Sequence, residues 1–139
     1  MDQYLNYLQQ LPQGVTNLSQ LTKLAERRFG TRFHGTYASD QIPRLSPMQS
    51  CILNLDTSSG PGSHWIALVR GKGTQCYVYD SFGRRGVQLI PALAWHSPGK
   101  VIDSDLDPEQ GVSESNCGAR CIAWLEVFYQ HGARIALTI

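Results

Sequence analysis

At 139 residues the chain is sized for one domain with a real core, and 42% hydrophobic against 17% charged residues is a globular, not a disordered, composition. A formal net charge of +1 makes no electrostatic case for a nucleic-acid binder, and no apolar run approaches the roughly 18 residues of a membrane span. The opening MDQYLNYLQQLPQG lacks a basic leader and a continuous apolar stretch, so no secretory signal is expected and an intracellular, reducing compartment is.

In chain order, the first thirty residues read as helical. Leu18, Leu21, Leu24, Ala25 and Phe29 recur at helical spacing, with Thr16 or Asn17 as a cap and Gly30 as a stop. A plain amphipathic packing helix is the expectation there. Ser46-Pro47 reads as the start of a short helical turn. CILNL (51–55), HWIALVR (64–70) and QCYVYD (75–80) then read as strands, separated by the loop TSSGPGS and by Gly71-Lys72-Gly73, a hairpin signal. Pro91 interrupts any helix across 87–95, and 100–103 suits a further short strand. From Cys117 to Gln130 a strongly apolar helix is expected to be buried on most sides, with Gly132 ending it. Strands and helices fall in blocks, which favours an α+β fold.

The four cysteines form no C-x-x-C pair and have no zinc-finger spacing. Cys51 and Cys76 lie in apolar runs, where a thiol acts as a small hydrophobe. Cys117 differs, because it follows Ser113, Ser115 and Asn116, all capping residues, and opens the buried helix. First-turn N–H groups and the helix dipole favour a thiolate there. Gly118 leaves room for a substrate backbone, and Gln110 offers an amide donor to a developing oxyanion. Cys121, one turn on, suits either packing or a resolving thiol, with packing preferred.

A three-residue hairpin loop at 71–73 sets Arg70 opposite Thr74 and His64 opposite Asp80, close enough for a carboxylate to fix an imidazole tautomer. Each feature also has a plainer reading: a helix-opening cysteine as structure, a strand histidine as a satisfied partner, Asp80 as a turn former. Spacing alone does not bring His64 to Cys117.

The segments His-Trp-Ile-Ala-Leu (64–68), Cys-Tyr-Val-Tyr-Asp-Ser-Phe-Gly (76–83), Gln-Gly (110–111) and Ser-Asn-Cys-Gly-Ala-Arg-Cys (115–121) resemble the adenain-like cysteine proteases, the adenovirus maturation endopeptidases. More distantly they resemble the proteases that process SUMO- and ubiquitin-like modifiers. Phe-His-Gly-Thr-Tyr (33–37) and 45–54 extend the resemblance, which spans about residues 33–131. It implies one protease domain, with a helical segment (1–32) before a catalytic core (33–139), and a mostly antiparallel sheet packed on a buried helix that starts at Cys117. It assigns Cys117 as nucleophile, His64 as base, Asp80 as its partner and Gln110 as oxyanion donor. Trp65, Asn116 and Gly118 fall in the substrate cleft, with Trp65 narrowing it toward glycine. Cleavage after glycine in (Leu/Ile/Met)-x-Gly-Gly or (Leu/Ile/Met)-x-Gly-x sites follows, and no cofactor is needed for the chemistry.

Partners implied by the same resemblance are polypeptides, either viral structural precursors or modifier proteins; if the chain is viral, the virion and the infected-cell nucleus or cytoplasm are its places. No membrane partner is implied. An activating peptide or DNA also comes with the family. However, no cysteine lies between Cys76 and Cys117 to receive a disulfide-linked activator, and the charge gives DNA no support. The family continues with further helices beyond the length seen here. A modifier-processing protease is the alternative, with an acyltransferase or a non-catalytic binding module behind it. Asp103, Asp105, Asp107 and Glu114 match a calcium-loop spacing, but Pro108 stands where that loop needs glycine, so a solvated acidic loop is expected and no metal.

Overall fold

The computed structural model describes residues 2–11, 18–55, 64–106, 108 and 117–139. The described elements are α1 (Asp2–Gln10), α2 (Leu18–Phe29), β1 (Phe33–Ala38), β2 (Ser50–Asn54), β3 (Trp65–Arg70) and β4 (Cys76–Tyr79). They continue with α3 (Gly86–Leu89), α4 (Leu93–His96), β5 (Val101–Asp103), α5 (Cys117–His131) and α6 (Ala133–Ala136). This is a mixed α/β architecture, compatible with the α+β class. The sheet has five strands in sequence order. The inner pairs, β2–β3 and β3–β4, are antiparallel, whereas β1–β2 and β4–β5 are parallel. The sheet is thus evenly mixed, not mostly antiparallel.

All residues of β2 and β4, and all but Arg70 of β3, are buried. Burial on both faces explains why these strands read as unbroken apolar runs. On one face Ile52, Ala67, Val69, Tyr77 and Tyr79 join the cluster built with α1, α2, α5 and α6. On the other, Cys51, Leu53, Ile66, Leu68, Cys76 and Val78 pack with Leu45, Ile90 and Leu93. α5 is buried nearly all round, as its composition requires. Trp124 anchors it, stacked on Tyr79 at 5.5 Å and donating its indole N–H to the Ala136 carbonyl at 2.9 Å.

Two local expectations are corrected, and one strand was not foreseen. The hairpin loop is not 71–73 but 71–75, closed by Gly71 N–H donating to the Gln75 carbonyl at 2.9 Å, with Arg70 opposite Cys76. The Arg70 guanidinium donates to the Gly73 carbonyl at 2.8 Å and so braces the longer loop. At Ser46-Pro47 there is a turn instead of a helix, because Met48 has φ +63°, outside the right-handed region. The unforeseen strand is β1, which periodicity did not mark. It is an edge strand with a register shift near Gly35, whose φ of +148° suits glycine.

α1 is fastened by a polar contact inside the core. The Tyr4 hydroxyl, on a fully buried side chain, lies 2.7 Å from the Tyr79 hydroxyl and accepts from Arg120 Nη1 at 3.0 Å. Tyr4→Phe deletes both contacts and leaves its partners poorer by one hydrogen bond each. Urea unfolding should show a loss of about 1–3 kcal/mol; an unchanged midpoint would mean that the ring alone holds α1.

Candidate active site

The candidate catalytic groups gather where β3 begins, β4 ends and α5 begins. His64 lies one residue before β3 and Asp80 one residue after β4. The observed register is displaced by two residues from the one expected, so the two are diagonal neighbours and not directly opposed. An even displacement keeps side chains on their faces, which is why the pairing survives. His64 Nε2 donates to Asp80 Oδ1 at 2.5 Å.

Asp80 is 2% exposed, and a carboxylate so buried must have its lone pairs filled. Arg84 supplies what His64 does not. Its backbone N–H donates to Oδ2 at 3.0 Å, its Nε to Oδ2 at 2.9 Å and its Nη2 to Oδ1 at 3.3 Å. The turn that brings Arg84 back is closed by Gly83 N–H on the Asp80 carbonyl at 2.9 Å, with Gly83 at φ +73°. Burial alone would raise the Asp80 pKa, but the His64 and Arg84 hydrogen bonds outweigh it and hold the carboxyl at about 2. Phe82 completes the surround, its ring 4.9 Å from the imidazole with the Arg84 guanidinium 5.1 Å away over the same ring.

With Nε2 committed to Asp80, Nδ1 is left for Cys117, whose sulfur and the imidazole each favour the other's charged form. Burial opposes the imidazolium, but Asp80 and Cys117 together raise the His64 pKa to about 9. Burial likewise opposes the Cys117 thiolate. The His64 hydrogen bond and charge, with the Trp65 and Gly118 backbone amides, reverse this and lower the thiol pKa. The other three cysteines are free and shifted the opposite way, each chiefly by burial. Cys121, fully buried one turn after Cys117, points its Sγ at the Trp65 carbonyl, 3.4 Å away.

Trp65 is 9% exposed, and its Cδ1 lies beside the open side of Gly118. The space vacated by the missing Gly118 side chain is largely filled by Leu21 of α2: a Cβ there would stand 3.1 Å from Leu21 Cδ1. Gly118 therefore serves the packing of α2 against the start of α5, and not only access to the thiol. Gln110 and Asn116 lie outside the described residues, as do the capping serines 113 and 115. Of the calcium-loop spacing, Asp107 and Glu114 also lie outside them, and Asp103 Oδ1 is occupied by the Gly86 N–H at 2.7 Å. No cluster of three or more candidate metal ligands occurs among the described residues.

Arg84 and Phe82 are the site residues that sequence reasoning missed. The available signal was Asp-x-x-Gly-Arg after a strand, a turn that carries a cation back to its own acid. Compared with models of protein families and with curated proteins, the chain finds no match.

The pKa shifts fix the sign of the pH dependence. Asp80 is depressed from 3.8 to about 2, so its contribution to stability is complete above about 4 and is lost as pH falls toward 2. His64 is raised from 6.5, so its contribution is complete below that value and is lost as pH rises through about 9. In Asp80→Asn the imidazolium loses its counter-charge, and the His64 pKa should fall by about one to three units in an NMR titration of its ring protons. An unmoved titration would show that Cys117 alone sustains the charged ring.

Proposed function

We propose that the chain is a cysteine endopeptidase of the adenain-like type, cleaving after glycine in (Leu/Ile/Met)-x-Gly-Gly or (Leu/Ile/Met)-x-Gly-x sites. One observation carries the reading: a single thiol, at the first residue of a buried helix, is coupled to a histidine that a fully paired carboxylate holds, and that coupling draws the sulfur toward the thiolate. Packing needs no such chain of three, whereas activating a nucleophile does. The sequence resemblance around 64–68, 76–83 and 115–121 supplies the reaction class and the preference for glycine.

In this mechanism the Cys117 thiolate attacks the scissile carbonyl carbon, and the carbonyl electron pair moves onto oxygen. Amide donors near the start of α5 stabilise that oxyanion, together with Gln110 if it acts as the resemblance implies. Collapse of the tetrahedral adduct breaks the C–N bond as the His64 imidazolium protonates the leaving amine. His64, now neutral, takes a proton from water, whose oxygen attacks the thioester; breakage of the C–S bond releases the carboxylic acid and restores the thiolate–imidazolium pair. Asp80 stays ionised throughout and keeps the ring oriented.

Alkylation by dilute iodoacetamide near pH 6, followed by peptide mapping, tests the reactive pair without any substrate. Cys117 should be labelled in strong preference to Cys51, Cys76 and Cys121, and His64→Ala should slow that labelling by about tenfold or more. Cleavage of a Leu-x-Gly-Gly peptide should vanish in Cys117→Ala. Slow labelling that is indifferent to His64 would overturn the assignment.

A further inference from the structure

A second site lies on the opposite face of the sheet from α5. There a cavity of about 80 Å3 is floored by Leu45, Leu68 and Leu93, and the outer wall carries Arg44, Arg70, His96 and Ser97. That volume is several times the roughly 10–15 Å3 that one water needs. On two residues of that wall, His96 Nε2 and Ser97 Oγ are buried without a hydrogen-bond partner among the described residues. The Cys76 thiol faces Ser97 there, a sulfur contact that leaves the hydroxyl without a partner of hydrogen-bond geometry. Buried polar atoms are rarely left unpaired unless something else completes them.

The charges point the same way. Neither Arg44 nor Arg70 has a carboxylate partner among the described residues, and no acidic side chain lines the cavity. Arg70 spends Nε on the Gly73 carbonyl and Nη1 on the Leu45 carbonyl, at 2.8 and 2.9 Å. These bonds fix the plane of the guanidinium while leaving further N–H donors unused. A fixed guanidinium and a second cation at the exposed rim border one space, with an unpaired hydroxyl and imidazole nitrogen on residues of the same wall, and an oxyanion is what the two cations complement. The leucine floor adds a demand for an apolar body.

We propose that this cavity binds a carboxylate with a short apolar body, either a free small acid or the C-terminal residue of a polypeptide. The site shares no residue with the His64–Cys117 cluster and stands independently of the peptidase reading.

Butyrate, its neutral isostere butyramide, and a tripeptide ending in valine as free acid or as amide are the probes. Amide 15N–1H shifts are the readout, with the indole of Trp95, 75% exposed beside His96, as a local reporter. Butyrate should give saturable shifts confined to residues around the cavity, and butyramide none. Arg44→Gln, at an exposed position, should keep the fold and weaken butyrate by about tenfold or more. Leu68→Phe, which fills the floor, should abolish binding while the shifts of α5 stay in place. Binding of the peptide acid but not its amide assigns the site to a polypeptide C-terminus, and binding of butyrate alone assigns it to small acids. No saturable shift from either acid, equal shifts from butyramide, or full affinity in Arg44→Gln would overturn the proposal and leave a cavity that holds only water.

Discussion

A buried negative charge organises this molecule. Asp80 has almost no contact with solvent, so it is tolerable only as an ion whose oxygens are filled by donors held in place. Arg84 can reach back only because the chain turns sharply at Gly83, and His64 can reach across only because β3 and β4 pair in a register of the right parity. Fixing the carboxylate fixes the imidazole, and the Phe82 ring packs against it. The charged imidazole then makes a thiolate tenable at Cys117 despite its burial. Each step depends on the one before it, and the first is the desolvation of a single carboxylate.

The four thiols show how far environment, and not residue type, sets chemistry. Cys117 and Cys121 sit one turn apart on the same helix, yet one is shifted toward the thiolate and the other well away from it. The difference lies in what meets the sulfur. Cys117 is offered an imidazolium and backbone N–H groups, all donors, whereas Cys121 is offered the Trp65 carbonyl, an acceptor that favours the protonated thiol. Trp65 thus serves both sulfurs with opposite ends of its backbone, and its indole closes against Gly118.

The parts legible in the sequence are those governed by burial. α2, the three inner strands and α5 announce themselves by apolar periodicity or apolar continuity, because water is the only thing each of those segments must avoid. β1 does not, since an edge strand of mixed polarity with a glycine bulge has no such signature. The hairpin register was misread because a Gly-Lys-Gly loop looks self-sufficient; nothing local shows that Arg70 will hold Gly73 and lengthen it. Parity alone carried the His64–Asp80 pairing through that error. Within the site, hairpin spacing paired His64 with Asp80 and the helix start marked Cys117, but only the resemblance joined the two. Arg84 was overlooked because its role exists only after the chain has turned. The crowding of Gly118 by Leu21 depends on how α2 docks, which no segment encodes by itself.

The cluster is also assembled from pieces far apart along the chain, and this bears on the order of events during synthesis. The imidazole, carboxylate and guanidinium all lie between residues 64 and 84, on one hairpin and the turn after it. The sulfur arrives later, on a helix that needs both that hairpin and α2 to pack against. A nascent chain emerging from the ribosome therefore carries the imidazole and its carboxylate before it possesses the sulfur. The three groups meet only as the last long helix docks, and that helix brings much of the core with it.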